Sequence, residues 1–466
     1  MKISKLELLL PIIILIISWF TWKHIPTLQF IGEGYQYFGV WNWQIIGLRS
    51  LPHDLFARLA SIVLVPIFRQ NTYLYMSFVL LVMLLADLLF YLFVRAATNN
   101  KNIALLAAFL YSISFVGKYD MFSNGGYQYF LQRGALMPIL LTSLIFLDQY
   151  IKKERIIFYL VSISIYISAI FLGFFSSWFL PIMFFYPLSY LKSIKKLWIP
   201  VSYVVINFLI VGSSGFVPET SLLKFILNDP NFIPGVLSQL VSVTAVFKSS
   251  ASTLLIYAIA LILIRREKRF FGLMLAFLFA LMGMLTINMY LNASAVKGII
   301  NSSRYFYYPY VCVAGFWGIF LGHLFYSKRL LTKLLVIGFV IFIFITNYQA
   351  LQKAIQTHSW NHEANRSALA IIASWSKELK KTPSYVYVPT SLGPYGATFA
   401  YNFYSHPEGE FFEERIHPLD IEELTKKGVA PQRLYVLHFD PQKQIVVDKT
   451  KESRALLIES YLWQNK

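Results

Sequence analysis

The sequence predicts an all-α polytopic membrane bundle of about 11 transmembrane helices, followed by a small extracytoplasmic α/β domain. Three observations predict it. Of 466 residues, 57% are hydrophobic and only 14% are charged, whereas a soluble chain carries about 25% charged residues. Basic residues outnumber acidic ones 41 to 23, yet the excess is confined to one part of the chain. From Leu351 onward 14 basic and 13 acidic residues nearly cancel, which leaves 27 basic and 10 acidic before that point. The early basic residues sit in short clusters between apolar runs, the pattern of cytoplasmic loops beside an anionic leaflet. Membrane lipid is therefore the expected partner, nucleic acid is not, and an ordinary cytosolic enzyme is excluded. The single cysteine, Cys312, lies inside an apolar run and offers no disulfide framework.

The first apolar run, Leu8–Phe20, ends in Trp19, Phe20 and Trp22 without a small-residue cleavage site, so it reads as an uncleaved span. Further spans are expected at 73–95, 102–116, 135–150, 156–175, 177–191, 198–214, 249–264, 271–291, 305–326 and 331–348. With the N-terminus cytoplasmic, this count places 17 basic residues in six short segments on one side: Lys2/Lys5, Arg95/Lys101, Lys152/Lys153/Arg155, Lys192/Lys195/Lys196, Arg265/Arg266/Lys268/Arg269 and Lys328/Arg329/Lys333. The transmembrane domain then covers residues 1–350, with long outer loops at 23–72, 117–134 and 215–248. Leu55–Phe68, in the first of these, is amphipathic and is expected to lie in the interface, with Asp54 as its N-cap. Residues 351–466 have the composition of a soluble chain. There, Asn361–Lys381 has helical apolar spacing, and the runs at 385–389, 433–439 and 444–447 are β-like.

Acidic residues are rare before Leu351, so each one is informative. Glu33 stands in "QFIGEGYQYFGVWNW" between two glycines that leave its carboxylate accessible. Such a group can act as a general base or hold a divalent cation; it can equally be a solvated loop residue beside a turn. Asp120, in "VGKYDMFSNGGYQYF", falls in the next outer loop and could converge with it. "GYQYF" occurs at 34–38 and again at 126–130, so Tyr35 and Tyr127 could stack on sugar or form part of an aromatic interfacial belt. In "NSSRYFYYPY", Arg304 beside Tyr305 is the first candidate for gripping a phosphate, with Arg133 second; either could instead snorkel at a helix end. Asp87, midway through the second span, reads as a lone intramembrane carboxylate, suited to proton coupling or to a neutral interhelical hydrogen bond. His358 and His362 are four apart, but Glu363 follows them rather than lying between, so the metal signal is weak.

One span, a long outer loop with an early acidic residue, many short-looped spans and an outer C-terminal domain together resemble the GT-C superfamily. These are integral-membrane glycosyltransferases that use polyprenyl-phosphate sugars, such as the protein mannosyltransferases and aminoarabinose transferases. "GEGYQYF" is similar to their acidic pair followed by a Gly-Tyr-Tyr-like run, except that Gly32 replaces the first acid. "SLPHDLF" resembles a His-Pro-Pro-Leu segment with its order altered, and Asp120 falls where many members carry a second-loop acid. The resemblance implies inverting sugar transfer from a polyprenyl-phosphate-linked donor in a cell envelope. Glu33 would be the base, and Arg304 or Arg133 would hold the leaving phosphate. A transporter or flippase of lipid-linked saccharides, supported by Asp87, and a non-catalytic envelope protein are the alternatives. Sugar, acceptor and metal stay unassigned.

Overall fold

Apolar runs set the helices, because a backbone in hydrocarbon can satisfy its polar groups only internally. The computed structural model describes residues 5–28, 55–68, 71–119, 130–131, 133–190, 196–213, 229–244, 249–293, 306–326, 329–388, 410–413, 420–443 and 445–464. Along the chain come α1 (Lys5–Trp22), α2 (Leu55–Phe68), α3 (Thr72–Thr98), α4 (Lys101–Ser112), α5 (Met137–Lys153) and α6 (Ile156–Leu172). There follow α7 (Leu180–Leu188), α8 (Trp198–Ser213), α9 (Phe232–Thr244), α10 (Ser250–Ile264), α11 (Lys268–Ala293), α12 (Tyr307–Phe325) and α13 (Leu330–Leu379). The chain is a multi-pass helical membrane protein. Among the described residues six helices, α1, α3, α5, α11, α12 and α13, are long and apolar enough to cross a bilayer. The other apolar helices have 10–17 residues, below the roughly 20 a straight crossing needs. The count of eleven crossings therefore stands as an expectation. Leu55–Phe68 is helical as expected, while Asp54, its proposed cap, lies outside the described residues. The expected loop 215–248 contains α9, which buries Phe232, Val236, Gln239 and Leu240.

The bundle is built around α12, whose residues from Tyr307 to Gly322 are all buried, as expected for a helix that is apolar all round. Its glycines allow the approach. A Cβ on Gly318 would stand 2.4 Å from the Ala107 Cα, and one on Gly322 would stand 2.7 Å from Ile103. Spaced four apart and facing Ala104, Ala107 and Ala108 of α4, these glycines form the small-residue seam by which membrane helices pack without a hydrophobic driving force.

At one end of the bundle, side chains from successive helix junctions meet the terminus of α3. Its last carbonyls have no partner within the helix. Ala97 O accepts from Tyr190 Oη at 2.6 Å and from Arg269 Nη2 at 2.8 Å, and Ala96 O accepts from Lys152 Nζ. Tyr186 Oη donates to Asp148 Oδ1 at 2.6 Å, and Lys152 pairs with the other oxygen at 2.8 Å. Tyr326, at the end of α12, accepts from Asn102 Nδ2 at 2.6 Å and donates to Asn100 Oδ1 at 3.1 Å. Lys196 meets Glu154 at 2.6 Å. Members of several basic clusters are thus gathered at the same end.

The composition changes near residue 350, but the helix does not stop there. α13 runs unbroken for 50 residues, because neither glycine nor proline occurs between Phe339 and Thr382. The separate helix expected at Asn361–Lys381 is in fact its C-terminal part. Beyond it lie β1 (Tyr385–Val388), β2 (Glu410–Glu413), α14 (Ile421–Lys426), β3 (Leu434–Asp440), β4 (Ile445–Asp448) and α15 (Thr450–Gln464). The sheet order is β2-β1-β3-β4, parallel except for the β3–β4 pair. Alternation along β3 sends Tyr435 and Leu437 to one face and Leu434 and Val436 to the other. The first face packs on Ala368, Ile372 and Trp375 of α13. The second packs on Leu424 of α14 and Leu457 of α15. Parallel strands covered on both faces are the usual stable arrangement. Trp375 Nε1 donates to Asp448 at 3.2 Å and Tyr435 Oη to Glu378 at 2.7 Å, which fix the helix on the sheet.

Candidate functional site

Asp87 sits midway along α3 and is fully buried. Read from the sequence as a lone carboxylate, it is in fact paired. Lys118 Nζ lies 2.7 Å from its Oδ1, the two side chains being 2% and 0% exposed. Ser18 of α1 donates its hydroxyl to Oδ2 at 2.5 Å. The Lys118 ammonium also stands 4.3 Å from the Tyr111 ring centroid and 3.5 Å from Ser112 O. The same carbonyl accepts the Trp22 indole N–H at 2.7 Å. One buried cluster therefore ties α1, α3, the end of α4 and the chain that leaves it. Desolvation of two charges is costly, and only close pairing with further hydrogen bonds offsets it. The partner comes from the loop that also carries Asp120, two residues on. Sequence reasoning did not connect Lys118 to Asp87, although a carboxylate inside a span calls for a buried donor nearby.

That chain then passes along the start of α12. Gly117 has φ +77°, and a Cβ there would lie 2.7 Å from the backbone N of Tyr307. A side chain is excluded by both conformation and space. Next door, Tyr308 Oη donates to the Arg133 carbonyl at 2.8 Å. Arg133 is 3% exposed, and its guanidinium lies 3.9 Å from the Phe175 ring and 5.4 Å from the Trp178 ring. Both rings belong to the 3-10 helix Phe174–Phe179 that follows Gly173, and Phe179 in turn meets Tyr308 at 5.9 Å. The aromatic faces attract the cation and hold it at the end of the bundle opposite the α3 terminus.

Of the residues proposed from sequence, Arg133 is described. Glu33, Asp120, Arg304, Tyr35, Tyr127 and Tyr305 lie outside the described residues. Their described chain neighbours do converge. Leu28 follows the short 3-10 turn Ile25–Thr27 and is buried. Tyr119, the residue before Asp120, is buried and stacks on Phe115 at 5.1 Å. Phe130 and Leu131 are fully buried beyond Tyr127, and Phe306 is buried immediately after Tyr305. Three segments that carry the candidate acids, tyrosines and Arg304 thus leave or re-enter the bundle at the same end, around Lys118 and Arg133. The side chains of His358 and His362 are outside the description. Among the described residues no three His, Cys, Asp or Glu side chains gather into a metal site; the divalent cation considered for Glu33 belongs to residues not described.

No family model matches the chain, and no curated protein is significantly similar to it. Among solved structures it is similar to the apo crystal structure of the Archaeoglobus fulgidus oligosaccharyltransferase, with 13% identity over 97% of this chain and 71% of that one, at a TM-score of 0.48.

Proposed function

We propose that the chain is a membrane glycosyltransferase that moves a sugar from a polyprenyl-phosphate donor to an acceptor at the outer membrane face. The observation that supports this best is the convergence just described. The described neighbours of Glu33, Asp120 and Arg304, namely Leu28, Tyr119 and Phe306, are buried in the bundle, as is Arg133. In the reaction Glu33 takes the proton of an acceptor hydroxyl, and the oxygen attacks the anomeric carbon. The bond from that carbon to the phosphate oxygen breaks, and polyprenyl phosphate leaves with its charge against Arg304 or Arg133. On this reading Asp120 is the second acid, and Tyr35, Tyr127 and Tyr305 contact the substrate. The basic end is cytoplasmic under the positive-inside rule, so the N-terminus is inside and residues 351–466 form an extracytoplasmic domain. The transporter alternative rested on Asp87 as a lone carboxylate, whereas Asp87 is paired with Lys118 and hydrogen-bonded by Ser18.

Membranes containing the full chain, supplied with labelled polyprenyl-phosphate sugars, test the proposal. Glu33→Gln should lower transfer by about 10²–10⁴-fold while the protein stays folded in the membrane. Transfer that is absent from the unsubstituted chain across a panel of donors, or unchanged in the variant, overturns it.

A further inference from the structure

The membrane-facing side of the molecule carries an apolar groove between α1 and α13, with α4 as its floor. Two adjoining hollows of about 410 and 350 Å³ make it up, and both are bounded by Ile17, Phe109, Val340 and Ile341. One hollow continues past Ile13 toward Asn102, and the other ends at Thr21 and Tyr348. Two of the few polar groups along it are already engaged. Asn102 donates to Tyr326, and the Thr21 hydroxyl donates to Ile17 O at 2.9 Å. Water in the groove would find few partners, and an empty slot would forfeit dispersion contacts on every wall. Nothing in α13 closes it: only 11% of its membrane window is buried within the protein.

We infer that this groove binds one acyl chain of an anionic phospholipid from the surrounding bilayer, with the lipid phosphate at Lys23. Length, charge and chemistry each support that occupant. On α13 the lining runs from Val336 to Tyr348, about 18 Å at the rise of a helix. That is of the order of the length of one acyl chain, a single leaflet of hydrocarbon being roughly 15 Å deep. At its Tyr348 end the wall includes Phe20, and the exposed Lys23 stands with its ammonium 4.3 Å from that ring. The cation is thereby held beside the Tyr348 end of the groove, where a phosphate can meet it. A lipid in this place completes the contact between α13 and the bundle. The inference does not depend on sugar transfer, because it concerns a different face and a ligand that does not react.

The test uses the full chain reconstituted in phosphatidylglycerol or phosphatidylcholine vesicles, extracted into detergent and weighed by native mass spectrometry. One phosphatidylglycerol should remain bound per chain, in preference to phosphatidylcholine by roughly fivefold, the worth of one lysine near an anionic surface. Lys23→Gln should erase that preference without changing folding. Val340→Trp, which fills the groove, should remove the adduct, and Ile341→Ala, which widens it, should keep it; together they separate occupancy from misfolding. An absent adduct, or one indifferent to both Lys23→Gln and Val340→Trp, overturns the inference. So does an isoprenoid lipid retained in place of phospholipid, or a dimer mass that Val340→Trp abolishes. Transfer assays read independently of lipid retention, so failure of one reading leaves the other standing.

Discussion

Cations are handled differently at the two ends of the bundle. Where α3 terminates, Lys152 is 34% exposed and Lys196 is 42% exposed, and the groups they serve include backbone carbonyls left over by the helix terminus. Apart from the buried Tyr186–Asp148 hydrogen bond, each contact there is one of several, and water can replace it. Midway along α3 Lys118 is 2% exposed against a fully buried Asp87, and at the opposite end Arg133 is enclosed by aromatic rings. The Lys118 charge cannot be rehydrated without opening the helices. The first end is therefore stitched by many replaceable contacts, the second by a few that must be kept together. Tyr119, Phe130 and Phe306, the described residues that border the outer segments, are buried as well.

The largest effect expected from this contrast comes from Asp87→Ala, which leaves Lys118 buried and unpaired. It should destabilise the protein by about 3–5 kcal/mol, read as the thermal midpoint of the detergent-solubilised chain. The double variant Asp87→Leu/Lys118→Met should recover most of that loss, since no charge is then buried. A single variant as stable as the parent would show that water reaches the pair and would erase the contrast. Tyr186→Phe is intermediate: it removes the hydroxyl that donates to the buried Asp148 while Lys152 remains. A loss of about 1–3 kcal/mol is expected, and a loss as great as that of Asp87→Ala would make the two ends equivalent. The smallest effect should be that of Lys196→Ala. Its partner Glu154 is 68% exposed, so the cost should stay below about 1 kcal/mol and vanish at high salt; a larger, salt-insensitive loss would mean that this end too is engulfed.

Long apolar helices were legible from hydropathy alone. α3 and α12 match the expected 73–95 and 305–326 to within a few residues, because hydrocarbon leaves a continuous apolar run no other regular conformation. Shorter elements were harder. The expected span 177–191 is a 3-10 turn followed by the nine-residue α7, with Pro181 in its first turn, where proline belongs. α9 was hidden because its apolar residues are interleaved with polar ones such as Gln239 and Ser242 and flanked by mixed loop sequence. The continuity of α13 could have been read from the missing glycine and proline, but the change of composition near residue 350 suggested a boundary. In the site, Arg133 was singled out as a cation near a helix start, while its aromatic cage was not, since Phe175 and Trp178 lie some 40 residues later. The Asp87–Lys118 pair was missed for the same reason. Its members are 31 residues apart, on elements with no shared period, so each looked ordinary alone.

The unbroken α13 locks the sheet to the bundle in phase as well as in distance. Its 50 residues extend about 75 Å, and each residue turns the helix by about 100°. Among the described side chains, the last bundle contacts on it, at Leu351 and Ile355, and the first in the sheet's core, at Ala364, are read off one rotating register. A single residue inserted between them would swing the sheet by more than a quarter turn, whereas seven would restore its heading and merely raise it by two turns. A flexible linker would have been indifferent to both. The bearing of the C-terminal sheet is thus counted out along the helix, and evolution can lengthen this stalk only in steps that keep the count.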